Sequence, residues 1–211
     1  MNTFLILSIT VVVMMGIIVF LDRKYQLLRD SSSAFDKPYS LSRVQLAWWT
    51  IIIFSASATI LFKYGMFPTF DQSTLILLGI SSATAAAAKI VDVSDQTNVN
   101  LIRHQDTGKQ GFFLDILSDE NGASIHRLQT VLFNLILGAW FIVQVLHNIS
   151  IVGIDVNKII PVVEGNNLIF LGISTATYVT LKSSENKSPP QTDVLLDVPK
   201  DDGSTKPQVQ P

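Results

Sequence analysis

The sequence contains no cysteine among its 211 residues. This absence excludes disulfide bonds, thiolate metal sites and a cysteine nucleophile. Charge is also scarce, because only 15% of the residues are Asp, Glu, Lys or Arg, against about a quarter in an ordinary soluble domain. The net charge of −2 gives no overall basic field, so we expect no nucleic-acid partner.

Charged residues are missing altogether from five apolar windows of 16 to 19 residues. The windows are residues 4–21, 44–62, 72–88, 128–146 and 166–181. As helices they would be roughly 24–29 Å long, close to the thickness of the hydrocarbon core of a bilayer. All eight prolines lie outside the windows, so each helix should be continuous. The pattern predicts five transmembrane helices.

The loop charges predict how these helices are oriented. Thirteen of the 15 Lys and Arg residues lie in segment 22–43, in connection 89–127 or in the tail from residue 182. The other two connections hold one basic residue each, Lys63 and Lys158. Because Lys and Arg resist translocation, we expect the amino terminus outside and the carboxyl terminus in the cytoplasm.

Two parts of the chain repeat each other. Residues 74–89 align without a gap to residues 167–182, with nine identities in 16 positions, and "SLSRVQ" at 40–45 resembles "SIHRLQ" at 124–129. Each copy therefore comprises two spans, and an even number of spans gives both copies the same orientation. The chain divides into an N-terminal transmembrane anchor with its linker (1–38), a first hairpin (39–90), a cytoplasmic connection (91–123), a second hairpin (124–182) and a tail (183–211).

The predicted fold class is an all-α membrane protein with one anchor helix and two tandem two-helix repeats. Within the connection, "GFFLDILSDENG" at 111–122 predicts a short amphipathic helix at the membrane surface. The tail mixes proline with polar residues, so we expect it to be disordered.

Small residues recur every four positions in the third and fifth windows, and so lie on one face of each helix. They are Gly79, Ala83, Ala87, Gly172, Ala176 and Thr180. Membrane helices associate through small residues that let their backbones approach closely. We therefore expect the third and fifth spans to form the centre of the bundle.

Four cations begin or end the windows at the cytoplasmic side: Arg43, Lys89, Arg127 and Lys182. One interpretation is that they are anchors that fix topology by extending to the interface. The other is that they form a pseudo-symmetric ring that binds anionic lipid head groups or the carboxylates of a partner.

Polar residues inside the windows are candidates for buried contacts between helices or for the lining of a pore. They are Gln45, Thr50, Thr84, Gln129, Asn134 and Thr177. Thr50 and Asn134 occupy equivalent positions of the two copies, part-way into the bilayer. Pores can be lined by hydroxyl and amide groups of this kind.

Enzymatic chemistry has little basis in the sequence. "GISS" and "GIST" fit the Gly-x-Ser pattern of rhomboid-type intramembrane serine proteases, but such a serine needs a base at its own depth. The three histidines, His104, His126 and His147, lie in the connection or at window edges. There is no His-Glu-x-x-His motif and no phosphate-binding glycine loop. We expect no catalytic residue, no metal site and no cofactor.

The motifs S-x-x-R-x-Q, F-x-D-I-L-S-D-x-x-G, H-R-x-Q and the duplicated G-I-S-x-x-T resemble those of a family of bacterial multi-pass membrane proteins. The resemblance covers residues 38–185 and implies a bacterial cytoplasmic membrane, without implying an activity. Two hypotheses follow. The first is a scaffold or signal transducer, in one copy or as a homo-oligomer, that presents residues 91–124 and the tail to a cytoplasmic partner. The second is a homo-oligomeric channel lined by the second and fourth spans.

Overall fold

The computed structural model describes residues 2–98 and 103–185. The fold is all-helical, and each apolar window lies within one long helix. The long helices are α1 (Thr3–Tyr25), α2 (Leu41–Tyr64), α3 (Gln72–Gln96), α5 (Ile125–Ser150) and α6 (Gly165–Ser184). The connection adds the short helix α4 (Phe112–Leu117) and a ribbon of two antiparallel strands, β1 (Ser118–Asp119) and β2 (Gly122–Ala123). Two 3₁₀ turns span His104–Thr107 and Val156–Lys158.

Four helices, α1, α2, α3 and α5, are long and apolar enough to cross a membrane. Local sequence sets their ends. The side chain of Asp71 accepts a hydrogen bond from the Ser73 N–H at the start of α3, as expected of an N-cap. Helix α2 ends at Gly65, whose φ of 70° is one that glycine adopts without steric cost. The four helices are consistent with a membrane location.

Helix α2 forms the centre of the bundle, which corrects the prediction that α3 and α6 would do so. It packs against α1, α3 and α5. Trp49, Ile53 and Ile60 of α2 are fully buried, and the Trp49 ring meets Phe141 of α5 edge to face with centroids 6.3 Å apart. Helices α3 and α6 do pack against each other, but at one side of α2. The large apolar side chains of α2 bury more surface than a stripe of glycine and alanine can.

Within the described residues, the small residues predicted to pack α3 and α6 lie mostly on exposed faces of these helices. Gly79 and Ala83 are exposed and Ala87 is only half-buried; a Cβ built on Gly79 would meet nothing within 4 Å. In α6, Gly172 is half-buried, whereas Ala176 and Thr180 are exposed. The buried stripes are instead Thr74, Leu77, Ser81, Thr84 and Ala88 in α3, and Leu168, Leu171, Thr175, Tyr178 and Lys182 in α6.

Among the glycines of the described residues, the tightest helix contact is at Gly138 of α5. A Cβ added there would lie 2.6 Å from Trp48 Nε1 and 2.7 Å from the Ile52 Cδ1 atom. The absence of a side chain thus lets the Trp48 indole lie against the α5 backbone, where it donates to the Asn134 carbonyl at 3.0 Å.

Helix α4 is shorter than the amphipathic helix predicted for 111–122. It ends at Leu117 because Ser118 is extended and pairs with Ala123 in the strand ribbon. Ile116 is buried, whereas Phe113 is largely exposed. Gly122 has a φ of 101°, which favours glycine at this turn.

Candidate functional site: a buried ionic cluster

The most unusual feature of the molecule is a lysine buried between two carboxylates. Lys182 Nζ lies 2.8 Å from Asp30 Oδ2 and 3.0 Å from Asp92 Oδ1. The side chains of Lys182 and Asp92 are 4% and 2% exposed. Charged side chains are almost never buried to this degree unless they are paired. The triad joins the end of α3, the end of α6 and the loop between α1 and α2.

The loop at 26–40 is folded so that it delivers Asp30 to the lysine. The Asp30 N–H donates to the Pro38 carbonyl and the Ser40 N–H donates to the Leu28 carbonyl, both at 2.8 Å. The Arg29 guanidinium lies over the Tyr39 ring, 3.7 Å from its centroid. These contacts close the loop on itself and fix the position of the carboxylate.

A second set of contacts ties the 103–106 turn to the same place. Gln105 Nε2 donates to Asp92 Oδ1 at 3.1 Å. Arg103 binds both carboxylate oxygens of Asp106 at 2.8 Å and donates to the Ser31 carbonyl at 3.0 Å. The Ser32 hydroxyl donates to the Gln105 carbonyl at 2.7 Å. Loop 26–40 and the 103–106 turn therefore form one folded unit.

Helix α5 enters the cluster through Arg127. Its Nη2 atom donates to both oxygens of Glu185, at 2.9 Å each, and both side chains are largely buried. The guanidinium also lies 5.4 Å from the centroid of the Tyr178 ring. Tyr178 is 2% exposed, and its hydroxyl has no hydrogen-bond partner in the described residues. We name Asp30, Asp92, Arg103, Gln105, Asp106, Arg127, Lys182 and Glu185 the ionic cluster.

The pKa values of Asp30 and Glu185 shift in opposite directions in these surroundings. Burial acts to raise the pKa of Asp30, but the Lys182 ammonium and several hydrogen bonds hold it well below its usual range. Burial raises the pKa of Glu185, and the nearby Arg127 charge offsets this only in part. Asp30 is therefore held as an anion, whereas Glu185 accepts a proton more readily than an ordinary glutamate.

The four predicted cations lie at one end of the bundle, but they belong to two different environments. Arg127 and Lys182 are buried in the ionic cluster. Lys89 is exposed, and Arg43 makes one long contact, of 3.4 Å, with the Ser31 hydroxyl in the described part of the chain. Neither Arg43 nor Lys89 has a carboxylate within ion-pair distance in residues 2–98 and 103–185. The four do not form a symmetric ring.

Of the polar residues predicted inside the spans, Asn134 has the clearest partners. Its Oδ1 accepts from Trp49 Nε1 at 2.7 Å, and its Nδ2 donates to the Thr130 carbonyl at 2.8 Å. Thr50 does not join this network, because its hydroxyl donates to the Leu46 carbonyl of its own helix. Asn134 thus connects α2 and α5, while Thr50 lies beside α1 and α3.

The remaining polar candidates are not equivalent between the copies. Gln45 is buried, and neither amide atom has a partner in the described residues. Gln129 is exposed, so of the two alternatives given for it, a buried contact between helices does not occur in the described residues. Helix α5 turns Arg127 and Thr130 inward instead, so Gln129 faces outward. The Thr84 hydroxyl donates to the Ile80 carbonyl of its own helix, and Thr177 is half-buried.

Sequence reasoning missed the acidic half of the cluster. The duplication does carry a signal for it, since Asp92 and Glu185 each lie three residues beyond the matched lysines Lys89 and Lys182. No comparable signal marks Asp30, which lies in a loop outside the duplicated segments. In the described residues, no group of three or more His, Asp or Glu side chains is arranged to hold a metal ion.

Searches against protein-family models, curated proteins and solved structures found no match to this chain.

Proposed function

We propose that this chain is a non-enzymatic polytopic membrane protein, a scaffold or signal transducer that presents a preformed cytoplasmic surface to a protein partner. The observation that carries the proposal is the pairing of Lys182 with Asp30 and Asp92. Burying a lysine with its acidic partners is costly unless their geometry is well satisfied. A cation that served only as a topology anchor would remain in water and would require no such pairing.

The proposal includes α6 as a fifth span and two tandem hairpins, α2–α3 and α5–α6. A helix of 20 residues is about 30 Å long, enough for a bilayer core. Helix α6 also packs against α3 and α5 along one side. With the amino terminus outside a bacterial cytoplasmic membrane, the ionic cluster lies at the cytoplasmic face. The tail from residue 186 lies outside the described residues.

The surface around the cluster has the properties of a recognition site. Phe35 is fully exposed on loop 26–40, whose backbone is held by the contacts described above. The Lys109 N–H donates to the Asp36 carbonyl, which fixes the chain next to the aromatic ring. Aromatic residues dominate the binding energy of protein interfaces. A loop that is already ordered loses less entropy when a partner binds.

The alternative of a homo-oligomeric channel lined by α2 and α5 has weaker support. A pore would need Asn134 and Thr50 to face a shared axis. The Asn134 amide is instead engaged by Trp49 and Thr130, and Thr50 lies on the side of α2 that faces α1 and α3. Opening such a pore would break the contacts of Asn134.

Site-specific photo-crosslinking in intact cells tests the proposal. A photoreactive phenylalanine analogue at Phe35 should give a discrete crosslinked product. The same analogue at Val152, which is fully exposed in the connection between α5 and α6, is the matched control. The Phe35 product should be a heterologous protein, or a second copy if the scaffold is a homo-oligomer. An equal pattern at both positions, or none at either, contradicts the proposal.

Current recordings from the purified protein in planar bilayers distinguish the channel from the scaffold. Reproducible single-channel steps that change in an Asn134→Leu variant would favour the channel. Silence in the bilayer together with the Phe35 product would favour the scaffold.

A further inference from the structure

An apolar crevice lies next to the two predicted cations, Arg43 and Lys89, that do not belong to the ionic cluster. Arg43 and Lys89 line a crevice of about 610 Å³ between α1, α2 and α3. Its wall includes Ile18 and Leu21 of α1 and Leu46 of α2. The volume is within the range of small-molecule sites, about 300–1,000 Å³.

The crevice extends from the charged end into the apolar part of the bundle. Arg43 and Thr50 both line it and are seven residues apart, which corresponds to about 10 Å along a helix. Opposite them, Ala85 and Ala86 of α3 have side chains too small to fill the space. The site therefore has cations at one end and an apolar groove that extends about 10 Å from them along the helices.

We propose that this crevice binds one anionic phospholipid of the cytoplasmic leaflet. The phosphate lies between Arg43 and Lys89, and the upper part of one acyl chain lies between α1 and α2. Guanidinium and ammonium groups at a membrane surface are attracted to anionic lipids, and neither cation is neutralised by a carboxylate in the described part of the chain. The apolar wall explains a whole lipid better than a free phosphate ion.

This site shares Leu27 and Leu28 with loop 26–40 but does not include Phe35, and it relies only on the membrane placement of α1, α2 and α3. It also divides the four predicted cations by role. Arg127 and Lys182 hold the folded end of the bundle together, whereas Arg43 and Lys89 face the lipid.

Native mass spectrometry of the detergent-purified protein, titrated with phosphatidylglycerol or phosphatidylcholine, tests the proposal. Wild type should retain one phosphatidylglycerol more strongly than phosphatidylcholine. The double variant Arg43→Gln, Lys89→Gln should lose that preference, with affinity for phosphatidylglycerol falling at least about tenfold because both cations that attract the phosphate are removed. The matched control is Arg23→Gln with Lys109→Gln, which removes the same charge from two exposed positions at the same end. The control should bind as wild type does.

A second variant tests the apolar part of the site. Ala86→Leu adds volume to the crevice wall at an exposed position, so it should weaken lipid retention without unfolding the protein. Adding inorganic phosphate should not displace the lipid. Equal losses in both charge variants, or displacement by phosphate with no effect of Ala86→Leu, would overturn the proposal. Photo-crosslinking at Phe35 is independent of this result, so the two proposals fail separately.

Discussion

The Lys182 ammonium lies 2.8 Å from the Asp30 carboxylate, although 152 positions separate the two residues. Asp92 also contacts this ammonium group, with its Oδ1 atom 3.0 Å from Lys182 Nζ. The pairing holds the end of α6 against the loop that follows α1. The stability of the charged end should therefore depend on this lysine more than on any exposed cation.

Lys182→Met should lower the free energy of unfolding by about 3–5 kcal/mol, because it leaves two buried carboxylates without their cation. Thermal unfolding in detergent measures the change. Lys89→Met, at the position that aligns with Lys182 in the sequence, should stay within about 0.5 kcal/mol because Lys89 is exposed. If both variants unfold at the wild-type temperature, the pairing contributes nothing to stability.

Gly138→Ala should destabilise the protein by about 1–3 kcal/mol, since the new methyl group would overlap the Trp48 indole and the Ile52 side chain. Gly79→Ala is the control, because a Cβ there meets nothing within 4 Å. That variant should be neutral or more stable by up to about 1 kcal/mol. A larger loss at Gly79 than at Gly138 would show that the small-residue face of α3 is the packed one.

Asn134→Leu should cost about 1–3 kcal/mol, because it leaves the buried Trp49 N–H without an acceptor. Gln129→Leu, at an exposed position of the same helix, should change stability by less than about 0.5 kcal/mol. Tryptophan fluorescence during unfolding in detergent reports both. Equal effects of the two substitutions would contradict the assignment of Asn134 to the α2–α5 contact.

Acid should weaken the fold through Asp30. Its pKa is held below the ordinary value, so its contribution to stability is complete above the unfolded pKa of about 3.9 and is lost as the pH falls through the folded pKa. The difference in melting temperature between wild type and Asp30→Asn should therefore shrink below about pH 4. For the exposed Glu120→Gln, the difference from wild type should stay small throughout. A constant gap for Asp30→Asn down to pH 2 would argue against the pairing.

Single cysteines can test the orientation cleanly, because the chain has none of its own. In intact cells, a membrane-impermeant maleimide should label Val152→Cys directly and Phe35→Cys only after permeabilisation. Both positions are fully exposed in the structure, so access is decided by the membrane side alone. The reverse pattern would place the amino terminus in the cytoplasm.

The positions of the helices follow from the sequence alone. The charge-free windows lie within α1, α2, α3, α5 and α6, and none of these helices begins or ends more than eight residues from its window. Long apolar runs bounded by charges and turn residues leave little alternative, because each backbone polar group in an apolar surrounding must be paired within its own helix. The collection of Arg43, Lys89, Arg127 and Lys182 at one end follows from the same windows.

Which face of each helix is buried does not follow from the sequence in the same way. The spacing of Gly79 and Ala83 suggested a packed face, yet Ser81 and Thr84 are the buried residues. A helix that is apolar on every side carries no amphipathic signal, so its rotation is decided by its neighbours.

Local hydropathy and end signals in the sequence are enough to set the number and span of the helices. The tertiary structure alone decided that Lys182 pairs with Asp30 and Asp92, that Arg43 and Lys89 remain outside the ionic cluster, and that Asn134 contacts Trp49. These contacts join residues far apart in the chain. Gln45 and Gln129 occupy aligned positions of the sequence, yet only Gln45 is buried, because α2 lies at the centre of the bundle whereas α5 turns Arg127 and Thr130 inward.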